Sequence, residues 1–499
     1  MSASVFTEVV LTPPGLRHRL AEIDDEMVDL QARLERLVAE RRPIVETLRS
    51  VFYPVVTLPP EITAEIFLHY VDTAHIGHHG NLPVAPGGTG GHGPLLLASI
   101  CRAWRAIALD LQPIWSKFDL PTGPSTVSST QKLLECWLPR AGGHPLDLSI
   151  SCGAEDALCA DVAPYSHQFR SLRCSLFTPI TRPGSLIAGR LPLLRKLLIT
   201  FPRGLNNHAT LVTTFADAPQ LREVHLEGLA LAWIALPWAQ LTCLGLSELN
   251  VTQCVHLLHQ TPNLETLTVT GLENDADVAL APVRLAHLHT LKFDEYQRDT
   301  TLLLYLTLPA LAHLELPAAI WDLTQYFIDF VARSACALRS LVFSYTNNTD
   351  IPFDLVPYLR AVPTLSELRI REAEWSVHNL KGFFTLMAEP GFLPNLRALS
   401  FNPLRYAVEI PYGALAAFLA SRWQGRGNGP DDARLESFEL VLAPELDFDP
   451  APSFMQLQDG LDALRALEAD GPKLNIRGLH KITGTVDALA VYPPFNRLP

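Results

Sequence analysis

Four histidines, His75, His78, His79 and His92, fall in one segment that also holds seven glycines, and imidazole is a common ligand of zinc and copper. A Gly- and Pro-rich segment loses too much entropy on ordering to hold a ligand set without rigid supports. No metal site is therefore expected there. The GGTGGHG run at 87–93 lacks the Gly-Lys-Ser/Thr ending of a phosphate loop. His256 with His259, and His287 with His289, lie inside repeated segments, where surface or hydrogen-bonded histidines are the rule. The eight cysteines (101, 136, 152, 159, 174, 243, 254, 336) form no Cys-x-x-Cys pair and sit among apolar residues. They read as reduced thiols of a cytoplasmic or nuclear protein, not as a disulfide framework or zinc site. There is no Gly-x-Ser-x-Gly elbow, no His-Glu-x-x-His, no nucleotide fingerprint and no recognisable carboxylate pair. The expectation is a protein with no catalytic residue, no cofactor and no metal, whose chemistry is that of binding surfaces.

Composition narrows the partners. The 499 residues are 48% apolar and 18% charged, and they carry a formal net charge of −13. That is a globular composition, long enough for several domains or a repeat array. An acidic chain without a basic stripe is not expected to bind nucleic acid or anionic lipid, because phosphate neutralisation needs clustered Lys and Arg. No apolar run reaches the ~18 residues of a membrane span. The start, Met1-Ser2-Ala3-Ser4, lacks the basic beginning and apolar core of a signal peptide. A soluble protein is expected.

Two apolar blocks flank the Gly/His segment. The first reads Leu58-Pro59-Pro60-Glu61-Ile62-Thr63-Ala64-Glu65-Ile66-Phe67-Leu68. Its prolines suit the first turn of a helix, which needs no intrahelical N–H donors. Ile62, Ile66 and Phe67 then share a face. The second runs from Leu95 through Cys101 and Trp104 to Ala108, and Pro113-Ile114-Trp115 follows. Its apolar positions are too dense for a helix covered on one side only, so one face should serve a core and the other a partner.

These residues resemble the F-box, the helical module by which substrate adaptors bind the Skp-type linker subunit of cullin–RING ubiquitin ligases. The resemblance rests on Leu-Pro-Pro-Glu-Ile, the pair Cys101 and Trp104, and the trailing Trp115, and it covers about a tenth of the chain. It implies that Leu58, Pro59, Ile62, Ile66, Phe67, Cys101, Trp104 and Trp115 form the linker-subunit interface or hold its helices together. Residues 72–94 depart from the family as a long insertion where a few residues are usual.

Upstream, Leu16, Leu20, Ile23, Met27, Leu30, Leu34 and Leu37 advance by 4, 3, 4, 3, 4 and 3. This is a heptad seam. Two arrangements fit it, self-association through 16–37 or folding back on the chain's own domain. Arg41 takes the next seam position and Pro43 follows, which predicts that the helix ends or kinks there.

Downstream, a phrase apolar-x-x-apolar-x-apolar recurs ten times, beginning at Leu194, Leu221, Leu241, Leu264, Leu288, Leu311, Leu338, Leu365, Leu396 and Leu435. Successive starts are 27, 20, 23, 24, 23, 27, 27, 31 and 39 residues apart, the spacing of leucine-rich repeats. Helical candidates lie between the phrases, at 252–260, 301–306, 323–332, 355–361, 380–387 and 414–423. The Asn that usually caps the loop after the strand is missing in most repeats, so an irregular array is expected. A helix over 453–469 and a strand at 473–476 would close it.

Side chains alternate along a strand, so the residues between the apolar positions should line a concave parallel sheet. This predicts a substrate face containing Glu223, His225, Glu227, Thr268, Lys292, Glu315, Arg369 and Arg371. Only the two arginines hint at an anion site there. The expected fold is α/β: an N-terminal tail and coiled-coil-like helix (1–53), a small all-α F-box-like domain (54–120), a linker and helix (121–144), a leucine-rich-repeat solenoid with parallel strands on its concave face (145–480), and a tail (481–499). The expected function is a substrate adaptor of an SCF-type ligase, with the Skp-type subunit, the cullin ligase and an unidentified protein substrate as partners. The alternatives are a leucine-rich-repeat scaffold outside any ligase and a small-ligand sensor.

Overall fold

The structure is a computed structural model. It describes residues 13–50, 54–74, 93–120, 127–152, 162–176, 191–200, 213–228, 234–273, 275, 280–294, 300–317, 323–344, 355–373, 377–403, 411–424, 433–442, 473–480 and 484–487. The chain divides into two compact units, one from residues up to 70 with 94–110, the other from 71–93 with residues from 111 onward. The histidine-rich segment 75–92 and the expected helix at 453–469 lie outside the described residues.

The first unit is helical. α1 spans Pro13–Ser50, α2 Pro60–Ala74, α3 Gly93–Ile100 and α4 Arg102–Asp110. α1 continues through Pro43, so the helix does not end there. Pro43 has no N–H to donate to the carbonyl four residues back, but the helix is exposed there, so water can donate to that carbonyl instead. α2 begins at Pro60 with Glu61 in its first turn, and Thr63 N–H donates to Pro59 O at 3.1 Å.

The second unit is built on one fifteen-stranded sheet. Its strands are β1 (Lys117–Leu120), β2 (Leu146–Cys152), β3 (Phe169–Leu176), β4 (Lys196–Thr200), β5 (Glu223–Glu227), β6 (Cys243–Ser247), β7 (Thr266–Thr270), β9 (Thr290–Phe293), β11 (His313–Pro317), β12 (Ser340–Ser344), β13 (Glu367–Ala373), β14 (Ala398–Pro403), β15 (Ser437–Leu442), β16 (Lys473–His480) and β17 (Gly484–Asp487). Strands pair in chain order and in parallel, except for the antiparallel β16–β17 pair at the end. β8 (Val283–Arg284) and β10 (Leu306–Thr307) form a separate two-stranded ribbon. β17 lies in the stretch read from sequence as a tail.

Parallel neighbours need crossover connections. Here those include α5 (Val127–Ala141), α6 (Val251–Leu258), α7 (Leu323–Ser334), α8 (Val356–Ala361), α9 (Val377–Met387) and α10 (Tyr412–Gln424), with a short 3₁₀ turn at Thr301–Tyr305. All three apolar positions in each of the ten phrases are at most 2% exposed. Such uniform burial is what one core shared along a stack of similar strand-and-crossover segments requires. Asn250 opens α6 with a reciprocal capping box to Gln253. Gly228 and Gly271, which follow β5 and β7, adopt φ of 71° and 61°, where a Cβ would be strained. Among the described residues no helix is long and apolar enough to cross a membrane.

Candidate functional site: an apolar helical face and a polar sheet face

The eight residues read as F-box positions separate by depth. On α2, Thr63 and Phe67 are buried, while Ile62 and Ile66, one position earlier in each case, are exposed along with Leu58 and Pro59. The Phe67 ring meets Trp104 edge-on, with centroids 5.0 Å apart and planes at 65°, a favoured aromatic geometry. Cys101 is half-buried, and its Sγ accepts from Trp104 N–H at 3.4 Å at the start of α4. Arg105 Nε donates to Ala98 O at 2.7 Å and ties α4 to the end of α3. Phe67, Cys101 and Trp104 therefore hold this unit together. Trp115 is also fully buried, but in the second unit, where it packs edge-on against Trp137 at 4.9 Å and its carbonyl accepts from Trp137 Nε1 at 2.8 Å. It is a core residue there, not part of an exposed binding face.

In the first unit Leu58, Ile62, Ile66 and Tyr70, spaced by four, and Leu95, Leu96 and Ile100 from α3 are exposed. All seven are between 37% and 55% exposed. Scattered exposed leucines need no explanation, but seven large apolar side chains on one small helical unit are the signature of an interaction surface. Tyr70, Leu95, Leu96 and Ile100 were not picked out from sequence, because a dense apolar block does not tell which of its faces is turned out.

On the second unit, strand register collects the expected substrate face. His225, Gly245, Thr268, Lys292, Glu315, Val342 and Arg369 stand in one row across adjacent strands. Glu223 lies in the row before, and Glu227 and Arg371 in the row after. The face is laced internally. Arg369 Nη2 lies 2.5 Å from Glu367, and Arg371 reaches past β12 to Glu315 at 2.7 Å. Both guanidiniums are thus matched by carboxylates of the same face, which removes the hint of an anion site.

Among the described residues of this face, Glu223, His225 and Cys243 come together, with ligand-type atoms within 4.8 Å of one another. The His225 Nε2 donates to Glu223 Oε1 at 3.0 Å, and Lys196 Nζ reaches the same oxygen at 2.6 Å. The His225 ring leans over Gly245, where a Cβ would sit 2.0 Å from its Nδ1. The His225 hydrogen bond, with Lys196 beside it, holds the Glu223 carboxyl down to about 2 against the opposing effect of burial. Burial first, then the Glu223 charge, pushes the Cys243 thiol up to about 11. A protonated thiol is a poor nucleophile. A cation bound here would also have to compete with the ammonium already on the carboxylate. The cluster was not legible beforehand, because Glu223 and Cys243 meet only through the pairing of β5 with β6. The glycine at 245, where the phrase otherwise places a larger residue, was its one sequence signal.

In comparisons with protein-family models and with curated proteins, no family model and no curated protein matches this chain.

Proposed function

We propose that the protein is a substrate-recognition adaptor of an SCF-type cullin–RING ubiquitin ligase. In this reading α2–α4 are an F-box that binds the Skp-type linker subunit, and the strand-and-crossover stack is an irregular leucine-rich-repeat solenoid whose polar face binds a protein substrate. The observation that carries it is the set of exposed apolar side chains Leu58, Ile62, Ile66, Leu95, Leu96 and Ile100 on a helical unit in which Phe67 packs inward against Trp104. With Phe67 and Trp104 turned inward, these exposed apolar side chains are left without a described partner inside the unit. The polar sheet face supports the second half, because rows of mixed, mutually paired charges suit recognition of a particular protein surface better than bulk attraction.

Calorimetry with a Skp-type subunit tests the proposal. The wild-type chain should bind, and Ile66→Asp/Leu96→Asp should abolish binding while leaving the protein folded, since both side chains point outward. If the folded wild-type protein does not bind, the adaptor reading fails and the scaffold reading takes its place.

A further inference from the structure

We propose that the protein forms a homodimer through residues 16–37 of α1, with the two helices antiparallel and Met27 of each copy set against Leu30 of the other. α1 is 38 residues long, and its residues of described burial are exposed except for the half-buried Gly15 and Val45. The seven seam residues from Leu16 to Leu37 are 40–61% exposed along one stripe. An isolated helix draws little stability from propensity alone and depends on packing its apolar face. Nothing described in this chain covers that face, so folding back is not what the structure holds. A heptad stripe fits another heptad stripe.

The orientation follows from charge. The seam places Leu20, Met27, Leu34 and Arg41 at one heptad position and Leu16, Ile23, Leu30 and Leu37 at the other. A parallel pair would set Arg41 against its own copy inside the seam. An antiparallel pair opposes Leu20 to Leu37 and Ile23 to Leu34, and it puts Arg41 beside Leu16 at the open end, where a guanidinium can reach water. Beside the seam, Arg19, Glu26, Arg33 and Glu40 alternate in sign every seven residues. Antiparallel helices bring this edge against itself, so Arg19 meets Glu40 and Glu26 meets Arg33, each twice by the two-fold axis. Parallel helices would bring it against Asp24, Gln31 and Val38, which leaves Arg19 with Asp24 as the one attraction.

Light scattering on the full chain over a concentration series tests both parts. The wild type should show a dimer mass that dissociates on dilution, and Leu30→Asp should be monomeric. Arg33→Glu opposes carboxylates at both symmetric positions and should weaken the dimer roughly tenfold, while Glu26→Arg/Arg33→Glu exchanges the signs and should restore it. A parallel dimer would show neither the loss nor the rescue. A wild type monomeric at every concentration, a dimer that survives Leu30→Asp, or a sign exchange that fails to restore the Arg33→Glu loss would overturn the proposal. Circular dichroism of each variant at equal concentration distinguishes lost pairing from a damaged sheet unit, whose helices and strands are untouched by these substitutions.

Discussion

Ile66 and Phe67 are neighbours in sequence and opposite in role, so truncating each to alanine separates core from surface in α2–α4. Phe67 is completely buried against Trp104. Phe67→Ala removes its transfer energy, leaves a cavity and loses the edge-on ring contact, for about 3–5 kcal/mol in all. That is comparable with the whole stability of a unit this small. Ile66 is 43% exposed, so truncation forfeits roughly half of a ~1.5–3 kcal/mol burial value and recovers a few tenths in helix propensity, for a net loss of about 1 kcal/mol or less. A chain with two units has no single unfolding midpoint, so the assay is amide hydrogen exchange read over residues 60–70 and 94–108. Phe67→Ala should speed exchange there by roughly a hundredfold or more, and Ile66→Ala by less than about tenfold. Equal acceleration by the two variants, or unchanged protection in Phe67→Ala, would refute the division into inward and outward faces.

Three further predictions concern the sheet unit. Gly245→Ala should cost about 1–3 kcal/mol in denaturant unfolding, because the new Cβ collides with the His225 ring; in a His225→Ala background the same change should be nearly neutral. Because Glu223 titrates near 2 in the folded protein, below its ordinary 4.5, its contribution is fully present above about 4.5 and is lost as pH falls towards 2. The stability difference between wild type and Glu223→Gln should therefore be constant near neutrality and shrink over that acidic window; a difference that persisted undiminished at pH 2 would contradict the assignment. Arg422 is 2% exposed, and its guanidinium donates to the carbonyls of Met387, Phe392 and Leu393. Arg422→Leu should destabilise strongly, on the order of 1–3 kcal/mol for each carbonyl left unpaired, as measured by protection of α9 and α10.

Much of the sheet unit could be read from the sequence, because burial on a strand has a period of two and the ten phrases repeat it. Leu264, Leu267 and Val269 are representative: placed by pattern, they are fully buried and their strand is in register with both neighbours. The crossover helices at 323, 356 and 412 also begin within three residues of expectation. The differences have separate physical causes. Trp115 follows the helical block in sequence, yet its partner Trp137 comes twenty-two residues later and draws it into the other unit. Pro43 interrupts one hydrogen bond in a helix long enough to continue without it. β17 carries no repeated phrase and joins the sheet by antiparallel pairing with β16. The Glu223–His225–Cys243 contact depends on register between strands, which spacing along one strand cannot reveal.

The adaptor reading is tested most directly by hydrogen exchange of the full chain with and without a Skp-type linker subunit. It predicts new protection confined to residues 58–70 and 95–100, with the sheet face from Glu223 to Glu439 unchanged and left open for a substrate. Protection on the sheet face alone, or none at all under conditions where the linker subunit binds a known adaptor, would contradict it.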